Sequence, residues 1–367
     1  MQNRLFSALS SFIRNIPFSF SFKPQSDVLF ITEGANWVTS WEIKEISRLL
    51  EKLGISFRYS GPIPFGLPRQ SIFFANRYNL MLHPQRYFLG GNRIAFPYYH
   101  GHPDSGERRF IKCYENLRIF HNRISRIQVT NSKMYELVIS TGIDPSRVHL
   151  IPIGINTDFF PRQTGKSKRC MRDKYGIPES AVVIGSFQKD GHGWSDGELP
   201  KLEKGPDIFL KTLKILKNSI PNLFILLSGP ARGYVIKGLG DLKIPFKHIY
   251  LEDYPQIGEL YQCLDLYLVT SREEGGPKAI LESMASGVPL VTTRVGQAID
   301  LVKHEENGWI VDVGDTGGLA HWTGRALGDS AKRQHIIKAG IKTAQSNTYD
   351  SQLDMWKSFF TGFVDLD

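Results

Sequence analysis

Cysteine is scarce in this chain of 367 residues: Cys113, Cys170 and Cys263 stand far apart and form no C-x-x-C pair. That argues against a disulfide framework and a structural zinc site, and a reducing, cytoplasmic setting is the expectation. No apolar run approaches the ~20 residues that a membrane-spanning helix needs. Interior runs such as Leu223 to Leu227 are only strand-sized, so an integral membrane protein is not expected. Acid is the scarcer charge, with 36 Asp and Glu against 45 Lys and Arg and a net charge of +9. This favours anionic partners. The basic residues are scattered and no nucleic-acid motif accompanies them, so nucleic acid is not among the expected partners.

What is present is an ordinary globular composition, 41% hydrophobic and 22% charged, in a chain long enough for two cores. The first 26 residues contain Arg4, Arg14 and Lys23 but no acid, and Leu5, Phe6, Leu9, Phe12, Ile13 and Ile16 recur at helical spacing until Pro17. Two readings of this amphipathic segment carry equal weight. It lies on an anionic membrane surface, giving peripheral attachment at the inner face, or it packs on the first domain or is a frayed terminus. A continuous apolar core and a small-residue cleavage site are both missing, so it is not read as a signal peptide.

From Val28 onward, short β-branched or aromatic runs alternate with helical patterns, as in β-α units that wind a parallel sheet. In the first half, strands are expected at Val28 to Thr32, Ile72 to Phe74, Ile94 to Tyr99, Ile124 to Thr130 and His149 to Ile153. The pattern restarts with Val182 to Phe187, Phe224 to Ser228, Ile249 to Leu251, Leu264 to Thr270 and Leu290 to Thr293. The expected domains are 1–157, with 1–26 as an extension, and 158–346. A C-terminal helix over 347–367 is expected to pack back towards the first domain through Leu353, Trp356, Phe359, Phe360 and Phe363. The polar, basic stretch Asn156 to Tyr175 reads as an exposed connector.

The strand ending at Thr270 runs into Ser271-Arg272-Glu273-Glu274-Gly275-Gly276-Pro277 and then a helix stopped by Gly287 and Pro289. In a parallel α/β sheet such a loop opens at the carboxyl ends of the strands, where ligands bind and a helix start offers free N–H groups. Gly275 and Gly276 let an anion approach the backbone, and Glu274 and Glu282 flank a diphosphate-sized space. Upstream stands Lys204-Gly205-Pro206-Asp207.

The run from Glu274 to Val291 resembles the E-x7-E signature of retaining glycosyltransferases of family 4, whose fold is GT-B. Thr130-Asn131-Ser132, Gly142-Ile143 and Ile151 to Phe160 resemble that family's domain crossover, and Lys204 to Asp207 is similar to its basic helix start; the likeness spans about residues 28 to 345. It implies two Rossmann-like doubly wound domains facing across a cleft and retaining transfer of a sugar from a nucleotide diphosphate to a hydroxyl. It further implies that Glu282 accepts from the donor ribose, Glu274 holds the sugar, and Lys204 neutralises the leaving diphosphate. The N–H groups near Gly275, Gly276 and Gly34 face the donor, and His100, beside His102, meets the sugar or acceptor.

One departure stands at Gly185-Ser186, where the family commonly has Arg after the glycine. Lys189 is the candidate replacement, beside an insertion from Gly191 to Leu202. No D-x-D or histidine cluster of metal-ligand type stands among these candidate residues, so neither an essential metal nor a cofactor is expected, the nucleotide sugar being a substrate. The expected acceptor is a glycan or a lipid-linked molecule in polysaccharide or glycolipid assembly. The alternative, motivated by Ser186, is a catalytically silent GT-B protein that binds or scaffolds.

Overall fold

The computed structural model describes residues 26–32, 38–61, 70–84, 88, 91–193 and 196–365. The apolar runs become two all-parallel six-stranded sheets. In the first, β1 (Val28–Ile31), β2 (Phe57–Ser60), β3 (Ser71–Phe74), β4 (Arg93–Pro97), β5 (Arg126–Val129) and β6 (Val148–Leu150) lie in the order β2-β1-β3-β4-β5-β6. The second comprises β7 (Val182–Ser186), β8 (Leu223–Ser228), β9 (Phe246–Ile249), β10 (Leu266–Val269), β11 (Leu290–Thr293) and β12 (Trp309–Val311), ordered β12-β11-β10-β7-β8-β9. The central strands are buried on both faces, which is why they read as unbroken apolar runs.

The largest departures from the expectation are at the four edge strands, where β6 ends at Leu150 rather than Ile153. β2 and β12 were not foreseen, and β9 begins three residues before Ile249. β2 (Phe-Arg-Tyr-Ser) is half solvated on both faces and carries no apolar run to read. The stretch expected as a connector is also different. Thr164 caps a helix, Gly165–Lys174, through a reciprocal capping box with Ser167. Two of its basic residues turn to the second sheet, while Lys166, Arg169 and Lys174 stay exposed: Arg172 is buried, pairs with Asp265 at 2.7 Å and donates to the carbonyls of Cys263, Glu179 and Ala181, and Lys168 pairs with the same Asp265.

The chain ends on the first sheet. Trp356, Phe359, Phe360 and Phe363, in and just after the helix Leu353–Phe360, join Val28, Phe30, Phe73 and Ala95 in one buried cluster. His149 of β6 sets its ring edge-on to Phe359 at 5.1 Å, and burial, with Arg126 nearby, pushes its pKa down to about 4 from an ordinary 6.5. The unfolded chain therefore binds a proton that the folded chain refuses between those values. The neutral ring contributes fully above pH 6.5, and its contribution is lost as pH falls towards 4. His149→Phe is expected to flatten the fall in stability over that window, by on the order of 2 kcal/mol after discounting for solvent screening, and the fall in Tm with it. A melting series from pH 7 to pH 4 checks this, and an unchanged slope rules it out.

Candidate active site

In each sheet the strand order reverses once, between β1 and β3 and between β7 and β10. Crevices form at the carboxyl ends of such switch points. The two crevices face one another, because the loops leaving the carboxyl ends meet. Glu273, after β10, accepts from the backbone N–H of Gly101 at 2.6 Å and of His102 at 3.1 Å, both just after β4. Thr130 and Asn131, after β5, donate to the Gly275 carbonyl at 2.7 and 3.2 Å. Ile153 donates its N–H to Gln297 at 3.0 Å.

Gly275 and Gly276 serve this contact directly. A Cβ on Gly275 would lie 2.4 Å from the Tyr99 Cβ, and one on Gly276 would lie 2.7 Å from Ile153 Cδ1, so the space that glycine leaves is filled by the first half of the chain. Gly34 and the segment Leu5 to Ile16 lie outside the described residues.

Lys204 reaches the site through Gly205. That glycine has φ +64, where a side chain is strained, and a Cβ there would sit 1.9 Å from the Thr270 carbonyl oxygen. The close approach, held by Thr270 donating to Gly205 O at 3.0 Å, lays the start of helix Pro206–Leu216 against the end of β10. Lys204 Nζ then lies 2.6 Å from Glu274 Oε2, and Ser271 donates to Glu274 Oε1 at 2.9 Å. An ammonium and a carboxylate thus meet beside the start of helix Ala279–Ser286.

Glu282, on that helix, is 4% exposed, and burial raises its carboxyl pKa. Tyr254 and Tyr261 donate their hydroxyls to its two oxygens. An ionised carboxylate has about four acceptor positions, so capacity for further donors remains. His100 stands across the cleft, edge-on to Phe110 at 5.5 Å, and its buried Nδ1 has no hydrogen-bond partner among the described residues. Burial, followed by the charges of Arg77, Lys204, Arg109 and Lys201, drives its pKa well below 6.5, leaving a neutral imidazole that can donate or accept.

At the departure from the family pattern, Arg232 donates to the Ser186 hydroxyl at 3.1 Å and to the Ser186 and Ser228 carbonyls, and pairs with buried Asp190 at 3.0 Å. Its guanidinium is thereby engaged beneath the cleft. Lys189 is half-buried, and burial followed by Lys201 lowers its pKa. The insertion folds back on the loop after β8, with Gly191 and Gly197 against Ala231, and delivers Lys201 next to Lys204. Among the described residues no group of three or more His, Cys, Asp and Glu is placed to hold a metal ion.

Residues that sequence reasoning missed are Glu273, Tyr254, Tyr261, Lys201 and Lys278. Glu273 stands beside the recognised Glu274 and was visible there, but its partners are backbone groups 172 and 171 residues away, which no spacing reveals. Lys278 Nζ, 7% exposed, lies 3.0 Å from Tyr349 Oη and 3.5 Å from Glu42 Oε2, joining three distant segments.

Two doubly wound domains that face each other through their carboxyl-end loops make this a GT-B protein. Anabaena HepE in complex with UDP and glucose superposes with TM-score 0.73 over 91% of this chain and 99% of that one at 17% identity. Sucrose-phosphate synthase from Thermosynechococcus elongatus gives 0.72 over 91% and 98% at 15%. Residues 199–343, which hold Lys204, Glu274 and Glu282, match the family model of "Glycosyl transferases group 1", and this part of the chain is a glycosyltransferase group 1 domain. N-acetyl-alpha-D-glucosaminyl L-malate synthase of Bacillus anthracis is 28% identical over 169 residues, 45% of this chain and 41% of that protein. D-inositol 3-phosphate glycosyltransferase of Acidothermus cellulolyticus is 27% identical over 241 residues, 62% and 51%. The chain spans about half the length of these curated relatives.

Proposed function

We propose that the protein is a retaining glycosyltransferase of family 4 type that moves a sugar from a nucleotide diphosphate to a hydroxyl acceptor in the cleft between its two sheets. The observation that carries this is the Lys204–Glu274 pair, 2.6 Å apart, at the β7/β10 switch point beside the start of helix Ala279–Ser286. The ammonium and the helix start supply positive potential where a leaving diphosphate gathers charge. Glu274 holds the sugar hydroxyls, and Glu282 accepts from the ribose through its remaining lone pairs. Neutral His100 donates to a sugar hydroxyl or orients the acceptor. The attack comes from the face of the departing phosphate, whose oxygen takes the acceptor proton, so no protein nucleophile is needed. Neutralisation by Lys204 and the helix start requires no metal.

The named relatives act on malate and inositol 3-phosphate, and HepE binds UDP and glucose. UDP-sugars are accordingly the first donors to test. Incubation with a panel of nucleotide sugars, read as donor hydrolysis and thermal shift, tests the activity. Binding without turnover across donors and acceptors would favour a silent binding subunit instead. Glu282→Ala is expected to weaken UDP binding by about 1.5–3 kcal/mol, roughly 10- to 150-fold in calorimetric Kd. Unchanged affinity removes Glu282 from the donor site.

The acceptor in this reading is a glycan or lipid-linked molecule met at the inner membrane face. A chain starting at Gln25 should keep its melting temperature and UDP affinity but lose flotation with anionic vesicles. Early melting would assign the segment to packing.

A further inference from the structure

At the opposite end of the first sheet from the cleft, where β4, β5 and β6 begin, a recess of about 290 Å³ is lined by Arg93, Arg123, Arg126 and Arg147, with Asn122 and Gly362 among the other walls. No acid lines it. The arginines are held by main chain. Arg126 donates to the carbonyls of Phe359 at 3.1 Å, Thr361 at 2.7 Å and Ser125 at 2.8 Å, and Arg147 donates to Asn122 at 3.1 Å and Ile124 at 2.9 Å. Arg123 donates to the Phe88 carbonyl and Arg93 to the Phe363 carbonyl at 3.1 Å.

Carbonyls orient a guanidinium without cancelling its charge. The one carboxylate paired with the four among the described residues is Asp365, 2.6 Å from Arg93 with its side chain 82% exposed. Arg147 commits a single terminal nitrogen to its two carbonyls, and a guanidinium carries five N–H donors. Burial, and then the charge of Arg147, lowers the pKa of Arg126, so like charges are held together at a cost that an anion would relieve.

We propose that this recess binds a phosphoryl group, presented by a soluble phosphate compound or by the headgroup of an anionic lipid. Planar forks fixed by backbone bonds match phosphate oxygens bidentately and lose little freedom on binding. The site is independent of the donor cleft, since it lies at the amino ends of strands whose carboxyl ends form that cleft.

The test titrates the full chain with inorganic phosphate by calorimetry and floats it with phosphatidylglycerol vesicles, using phosphatidylcholine vesicles as control. Arg147→Gln and, separately, Arg123→Gln are the probes, because Arg126 also holds the C-terminal segment and its loss would confuse folding with binding. Their melting temperatures should match the parent. Phosphate binding, flotation or both should occur, weaken with salt, and fall roughly tenfold or more in Arg147→Gln, while Lys204→Ala leaves them unchanged. Arginine-dependent phosphate binding without arginine-dependent flotation assigns a soluble ligand, and arginine-dependent flotation without phosphate binding assigns a lipid headgroup. Absence of both, binding unaltered by either arginine substitution, or binding lost in Lys204→Ala would overturn the proposal.

Discussion

Lys204→Ala is expected to lower kcat by about 10²–10³ while changing donor Kd far less. The ammonium lies 2.6 Å from Glu274, so it is paired and oriented by the protein itself. A bound ground-state diphosphate gains modestly from it. As the glycosidic bond breaks, negative charge accumulates on the leaving phosphate, and the fixed cation then contributes most, which is the condition for acting on turnover rather than on binding. Activity should persist in EDTA. A raised KM with unchanged kcat would make Lys204 a plain binding residue, and activity abolished by EDTA and restored by magnesium or manganese would contradict neutralisation by protein groups.

The second large effect concerns stability. Lys278→Met should destabilise the protein by about 3–5 kcal/mol, because it leaves the Glu42 carboxylate buried without its cation. Glu42 is 2% exposed, one of its oxygens has no hydrogen-bond partner among the described residues, and burial already raises its pKa against the pull of Lys278. What then remains is the Tyr349 hydroxyl, donated at 2.7 Å. The double variant Lys278→Met with Glu42→Gln removes both charges and should recover most of the loss. Urea unfolding of the parent, both single variants and the double variant measures the coupling. Strictly additive losses would show that the pair does not act as a unit.

The two motifs that pointed to the site were legible because they are local. Glu274 and Glu282 lie on one loop and helix, and Lys204-Gly205-Pro206 marks its own helix start, so spacing alone placed each in its element. That Lys204 meets Glu274 was not legible, since it depends on Gly205 packing against the Thr270 carbonyl across two strands. Gly275 and Gly276 were read as openings for an anion, yet their missing side chains admit Tyr99 and Ile153 from the other sheet. The basic stretch before β7 has the composition of a solvated connector, but Asp265 and three carbonyls draw Arg172 inward.

Chain-local physics, in the form of apolar runs, turn residues and the E-x7-E spacing, therefore determined the class of fold, the order of the central strands along the chain and the positions of Lys204, Glu274 and Glu282. The edge strands β2 and β12, the Glu273 clamp on the backbone of residues 101 and 102, the tyrosines on Glu282, the Glu42–Lys278–Tyr349 hub and the arginine recess were decided only by tertiary structure. Each joins groups far apart in the chain, and such contacts form only once burial has removed the water that would otherwise satisfy those charges and hydroxyls.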